Sequence, residues 1–216
     1  MARKTKLEAL ATRSRILDAA EQVFHARGVS GTSLQDIAAA AGMTRGAIYW
    51  HFQDKGDLFN AMMARVCLPM EEAKAMIGAG PAANLLPVLP LLRAQLLDVL
   101  ARVVGDAQVR RVFEIATLKV EYLDELSAVR DRHRQIRGDY LALIERLLRQ
   151  GQQRGEVVRR PSARTLAIGL HALLDGLIQN WMLEPEGFDL RRVGREVVDR
   201  HLLGLASQAA VAPTAA

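Results

Sequence analysis

Between Leu34 and Phe52 a small residue, a glycine and an aliphatic residue recur at Ala38, Gly42 and Ile48. A helix-turn-helix asks for that set: a small residue where its two helices touch, a glycine in the turn and an apolar anchor on the second helix. Such a unit sets the first residues of its second helix against base edges in the major groove, while flanking groups hold phosphates. Helical periodicity turns Ile48 and Phe52 inward and leaves Thr44, Arg45, Gly46, Ala47, Tyr49 and His51 outward. Arg45 can bond guanine through two donors, whereas Ala47 offers only apolar contact, for example with a thymine methyl. Gly46, without a side chain, lets backbone approach closely. Tyr49, His51 and Lys55 suit phosphate oxygens, and Lys55 starts a helix whose first amides also favour anions. The same segment also reads as a plain three-helix subdomain in which Tyr49 and Trp50 only pack.

Other constellations are weaker. The five histidines, at 25, 51, 133, 171 and 201, form no i,i+3 or i,i+4 metal pair with one another. No phosphate loop or nucleophile elbow is present, so neither an enzyme nor a cofactor nor a metal is expected. Polar groups at helical spacing inside apolar helices are the natural candidates for orienting a ligand in a greasy cavity. His171 with Asp175 fits that description, as does Thr117 beside Phe113. The alternative is that His171 and Asp175 satisfy each other in the core or face solvent. Arginines at 130, 132, 134 and 137 would suit an anionic effector, or form a solvated helix face.

These residues need a scaffold of helices. The 216 residues are half hydrophobic but only 5% aromatic, a balance that favours aliphatic helix packing in an all-α chain. One cysteine, Cys67, and no apolar leader at the N-terminus point to the cytoplasm. The most apolar stretch, Leu166 to Leu183, is interrupted by His171, Asp175, Gln179 and Asn180, so no membrane span is expected. The net charge of +5 permits nucleic-acid binding without locating it, because residues 1–55 carry +3 and residues 127–160 carry +5.

Caps and breakers divide the chain. Apolar spacing predicts a helix over Leu7–Arg27, stopped at Gly28. A second, opened by Ser33 with Asp36, closes at Gly42, and a short third follows Thr44. Asp54 opens a fourth from Lys55 to about Gly78, in which Pro69 removes a backbone hydrogen bond and marks a kink or hinge. Further helices are expected over Leu91–Val104, Asp106–Leu118, Ser127–Gln153, Ser162–Leu183 and Asp189–Leu205, with a frayed tail. Pro81, Pro87 and Pro90 blur the start of the fifth.

The pattern TR..ILDAAE..F...GV..TSL.DIA..AG.TRGAIYWHF.DK.DLF, from Thr12 to Phe59, resembles the N-terminal signature of the TetR family of bacterial repressors. The opening MARKTK.EAL and the block TRGAIYWHF.DK.DLF look most like its AcrR-type multidrug-efflux branch. Likeness weakens across the middle and returns at Asp175–Trp181 through Phe188-Asp189-Leu190. The resemblance implies about nine helices in an all-α fold: a three-helix helix-turn-helix DNA-binding domain (1–54), a ligand-binding and dimerisation domain (55–207) and a flexible tail (208–216). It implies a cytoplasmic homodimer that binds a palindromic DNA operator as a repressor and is released by small lipophilic compounds such as antibiotics, dyes or plant phenolics. DNA contacts carried over fall on Gln35, Thr44, Arg45, Gly46, Ala47, Tyr49, His51 and Lys55, with Ser33 a further candidate for phosphate. The implied dimer interface is the last two helices of each subunit, and the apolar spacing of Leu166, Leu170, Leu173, Leu174, Leu177, Val193, Val197, Leu202 and Leu205 agrees; a monomer with two core helices is the alternative. By family register the pocket also draws on Val66, Gln95, Leu96, Val99, Arg137, Tyr140 and Ile144, and Phe113 and Thr117 depart from related efflux repressors. The helix from Lys55 would carry the switch, joining a phosphate contact to Val66. A regulator of a metabolic operon answering an anionic metabolite or acyl-thioester, or an activator, is the alternative on the same fold.

Overall fold

The computed structural model describes residues 2–78, 86–121 and 127–207, without the side chains of residues 2–5 and 67–78. The tail from 208 and Pro81 lie outside the described residues, as do the side chains of Cys67 and Pro69. Among the described residues the chain is all-α, with nine helices: α1 (Ala2–Arg27), α2 (Leu34–Ala41), α3 (Arg45–Tyr49), α4 (Lys55–Gly78), α5 (Val88–Gly105), α6 (Ala107–Leu118), α7 (Ser127–Arg154), α8 (Ala163–Leu183) and α9 (Leu190–Leu205). Val157 and Ala206 add an isolated antiparallel bridge. Two starts differ from the apolar spacing. α1 begins at Ala2 rather than Leu7, because Ala2, Arg3, Lys4 and Lys6 are good helix formers. α5 begins at Val88, with Pro90 in the first turn, where a missing N–H breaks no helical bond. Its cap comes from a distance: the Val88 amide donates to the Glu156 carboxylate at 2.7 Å.

The helices group into two compact units, Met1–Pro69 with Ala107–Gln135, and Met70–Asp106 with Ile136–Ala216. In the first, α1 packs on α2 and α6, and α2 on α3. Ile16, Ala20, Phe24, Ile37, Ala38, Ile48, Phe52, Leu58 and Met62 form its core together with Val112 and Ile115 of α6. α6 thus groups with the N-terminal helices, since its apolar side is buried in their core.

One acid is buried with them. Glu21 is 3% exposed and accepts from Arg111 Nη1 at 2.8 Å and Gln108 Nε2 at 3.0 Å, tying α1 to α6. Glu21→Ala removes the acceptor for a guanidinium that is itself 37% exposed and can partly rehydrate. The expected loss is therefore about 1–3 kcal/mol of unfolding free energy, read by chemical denaturation.

In the second unit α5 packs on α9, and both pack on α8. Arg93 grips Asp199 through two bonds, Nε–Oδ1 at 2.6 Å and Nη2–Oδ2 at 2.9 Å, and this holds the Asp199 carboxyl below its ordinary range. By length and composition alone α8 would pass for a membrane span. Its Leu166, Leu170, Leu174 and Ile178 are nevertheless buried inside the unit. That burial corrects part of the expected dimer face: Leu166, Leu170, Leu174, Leu202 and Leu205 serve the chain's own core. Leu173, Leu177, Val193 and Val197 are half-buried, and Ile168 and Leu203 are exposed.

Candidate nucleic-acid interface

Short helices need caps at both ends, and α2 has both. The Asp36 amide donates to Ser33 Oγ at 3.2 Å, while the Ser33 amide donates back to the Asp36 carboxylate at 2.9 Å. Bonds from Ser33 hold the Asp36 carboxyl below its usual range, with a smaller contribution from Arg27. At the other end Gly42 takes a left-handed conformation, φ 66°, and its amide closes on Ala38 and Ala39; a side chain there would be strained. Arg15 Nη2 donates to the Ala41 carbonyl at 3.1 Å, holding the same turn to α1.

α3 follows at once. Thr44 caps it by accepting from the Ala47 amide at 3.3 Å. Ile48 and Phe52, 0% and 2% exposed, pin it to the core, and the Arg13 guanidinium lies 4.9 Å from the Phe52 ring centre. Arg45, Gly46 and Tyr49 stand exposed, Ala47 and His51 half-exposed, and Gln35 is exposed on α2. Arg45 Nη2 donates to Tyr49 Oη at 2.9 Å, and its guanidinium carbon sits 5.4 Å from the Tyr49 ring centre.

Asp54 opens α4 by accepting from the Asp57 amide at 2.7 Å. The Lys55 ammonium, half-buried, donates to the Ser30 carbonyl at 3.3 Å. An open groove of about 480 Å³ runs here, lined among others by Ser33, Tyr49, Gln53 and Lys55. Three of the expected phosphate-binding groups, Ser33, Tyr49 and Lys55, are thus brought to one hollow. Among the described residues the Lys55 ammonium bonds a neutral carbonyl, and Asp36 and Asp54 also line the hollow.

Trp50 was absent from the expected contacts and is the most exposed large apolar side chain of the described residues, at 89%. Tyr49 is 47% exposed. Neither is a packing residue, which removes the plain-subdomain reading of this segment. The signal was present in the spacing: Trp50 lies two residues from both Ile48 and Phe52, about 200° round a helix from each anchor.

The residues expected to hold a ligand fall in both units. Val66 is part of the first unit's core, and Phe113 packs against it, with Thr117 half-exposed on the same helix. In the second unit Leu96 and Ile144 are buried, Gln95, Val99, Tyr140 and His171 half-buried. The Tyr140 and His171 rings meet edge to face at 5.8 Å between centres. Burial pushes the Tyr140 hydroxyl up to about 12, so it stays a neutral donor. Two of the expected residues are exposed. Asp175 lies on the exposed side of α8, where it accepts from Gln179 Nε2 at 2.7 Å. Arg137 is exposed because it lies on the solvated side of α7. Among the described residues no three His, Cys, Asp or Glu side chains gather to hold a metal.

Comparison with known proteins agrees with this geometry. Residues 16–62 match the model of the bacterial regulatory proteins of the tetR family, and residues 87–206 match the C-terminal region of MAATS-type transcriptional repressors. The chain is 39% identical over 207 residues to the HTH-type transcriptional repressor BepR of Brucella suis biovar 1, covering 96% of this chain and 98% of that one. NalD, the secondary repressor of the MexAB-OprM multidrug efflux pump in Pseudomonas aeruginosa, superposes with a TM-score of 0.84 at 32% identity, covering 93% of this chain and 98% of that one. SmeT of Stenotrophomonas maltophilia in complex with triclosan superposes with a TM-score of 0.81 at 31% identity, over 95% and 96% of the two chains. With a capped helix-turn-helix at its head and these likenesses along nearly its whole length, the chain belongs to the TetR family of bacterial DNA-binding regulators.

Proposed function

We propose that the protein is a ligand-responsive repressor of a multidrug efflux operon, binding a palindromic operator as a homodimer in the cytoplasm and released by small lipophilic compounds. The observation that carries the DNA half is the segment Thr44–Phe52, anchored by Ile48 and Phe52 and presenting Arg45, Tyr49 and Trp50 outward. Arg45 and Ala47 read base edges, with Gln35, Thr44 and Gly46 beside them. Ser33, His51 and Lys55 meet phosphates. The efflux assignment is supported by relatives such as NalD and SmeT.

Dimerisation is assigned to the sides of α8 and α9 that the chain leaves uncovered: Leu173, Leu177, Val193 and Val197, with Ile168 and Leu203 exposed beside them. Effector binding is assigned to Gln95, Leu96 and Val99 of α5, Tyr140 and Ile144 of α7, and His171 of α8. Leu96, Val99 and Ile144 would offer apolar surface to a lipophile, and Gln95, Tyr140 and His171 polar groups to orient it. The triclosan seated in SmeT supports that class of ligand. An effector shifts the protein away from its DNA-competent form only by its differential affinity for the two forms, so tight binding alone does nothing.

The test is a mobility shift on the intergenic DNA upstream of the protein's own gene, with and without dyes, antibiotics and plant phenolics. A specific shift released by lipophiles supports the proposal. A shift that only anionic metabolites release moves it to a metabolic operon, and no specific shift overturns repression of that site. Lys55→Ala should weaken binding to every sequence alike and flatten the slope of log K against log salt by about 0.9, one phosphate contact.

A further inference from the structure

Arg45 and Tyr49 open and close α3, four residues apart, and so share one face. They are joined: Arg45 Nη2 donates to the phenol oxygen at 2.9 Å, and the guanidinium lies over the ring, 5.4 Å from its centre. Among the described residues Arg45 forms no ion pair, so the phenol is what orients this exposed arginine. An unrestrained arginine gives up rotamer entropy when fixed in one geometry, and a stacked, hydrogen-bonded guanidinium has already given up part of it. One bond to a phenol still leaves a parallel pair of N–H donors, enough for O6 and N7 of a guanine. The phenol oxygen is meanwhile turned towards the arginine.

We propose that Tyr49 is the positioning residue of base readout, holding Arg45 by its hydroxyl and ring so that the arginine reads one base pair in each half-site. The inference rests on α3 as the helix that enters the major groove, and it changes the part expected of Tyr49 from a phosphate contact to an orienting group. A phosphate contact strengthens binding to all DNA equally. An orienting group strengthens it only where Arg45 finds its base, and the experiment separates these.

Duplexes are first selected from a randomised library with the wild-type protein. Dissociation constants are then measured for wild type, Tyr49→Phe, Arg45→Ala and the double variant, on the selected duplex, on each single base-pair change of it and on random-sequence DNA, across a salt series. Tyr49→Phe keeps the ring and the fold, which circular dichroism checks. It is expected to lower discrimination about 5-fold at the base pair that Arg45→Ala ceases to read, with random-sequence affinity and salt slope unchanged. In the double variant the tyrosine change should add nothing at that base pair. Tyr49→Leu, which removes the stacking face as well, should lower discrimination further at the same base pair. An equal loss on all sequences with a shallower salt slope would make Tyr49 a phosphate contact and overturn the proposal, as would an unchanged preference or additive losses. A wild-type protein that selects no motif would overturn sequence-specific DNA reading itself, and the proposal with it.

Discussion

Phe52→Ala is expected to cost the first unit about 3–5 kcal/mol, the range for emptying a buried phenylalanine site. Phe52 is 2% exposed, sits in the core shared by α1, α2, α4 and α6, and lies under the Arg13 guanidinium, so truncation loses both the apolar contacts and the cation–π partner. Small domains have about 5–15 kcal/mol to lose. Chemical denaturation should show the earlier transition, and specific DNA binding should fall with it. The second loss has a local cause as well. α3 has only five residues, of which Ile48 alone is buried, and Phe52 anchors the turn just after it, so loosening Phe52 releases the helix that presents Arg45. Retention of wild-type stability would show that the core refills around the gap.

Gly194→Val is expected to cost the second unit about 3 kcal/mol, at the upper end of overpacking penalties. A Cβ at Gly194 would overlap the Leu100 Cδ1 methyl. Leu100 is 1% exposed and has little room to retreat. α5 and α9 can touch at this point only because α9 carries no side chain there. Melting of the second unit, followed by calorimetry, should move down accordingly, and the half-buried face of α9 should lose its register for any partner helix. Leu100→Ala in the Gly194→Val background should restore part of the loss by opening space opposite the new methyls; a failure to restore would place the strain elsewhere.

The parts of this fold that were legible beforehand are those governed by short-range chemistry. Ser33, Thr44, Asp54, Ser162 and Asp189 were all expected to open helices, and each accepts a backbone amide two or three residues on. A cap is satisfied within its own turn, so spacing reveals it. The inward direction of Ile48 and Phe52 followed from periodicity for the same reason. Direction became ambiguous where two neighbours compete for one helix. On α8, Leu166, Leu170 and Leu174 read as interface residues but face the chain's own core. Apolar spacing marks a stripe without saying whether an intramolecular or intermolecular helix covers it. The burial of Glu21 was illegible, because its partners on α6 lie 87 and 90 residues away in the chain. The grouping of α6 with the N-terminal helices is of the same kind, being decided by Val112 and Ile115 finding a core built from distant sequence.

The contrast between the two tryptophans has an optical consequence. Trp50 is 89% exposed beside the recognition helix, whereas Trp181 is 6% exposed in α8, and the sequence contains no third. A water-exposed indole emits further to the red than a buried one and is reached far more readily by a dissolved quencher. The native chain therefore carries two intrinsic fluorophores separable by wavelength and by iodide access, one in each unit. Docking on DNA should shield the red component from iodide while leaving the blue one unchanged. Unfolding of the second unit should shift the blue component towards the red, so that occupancy and integrity can be followed in one unlabelled sample.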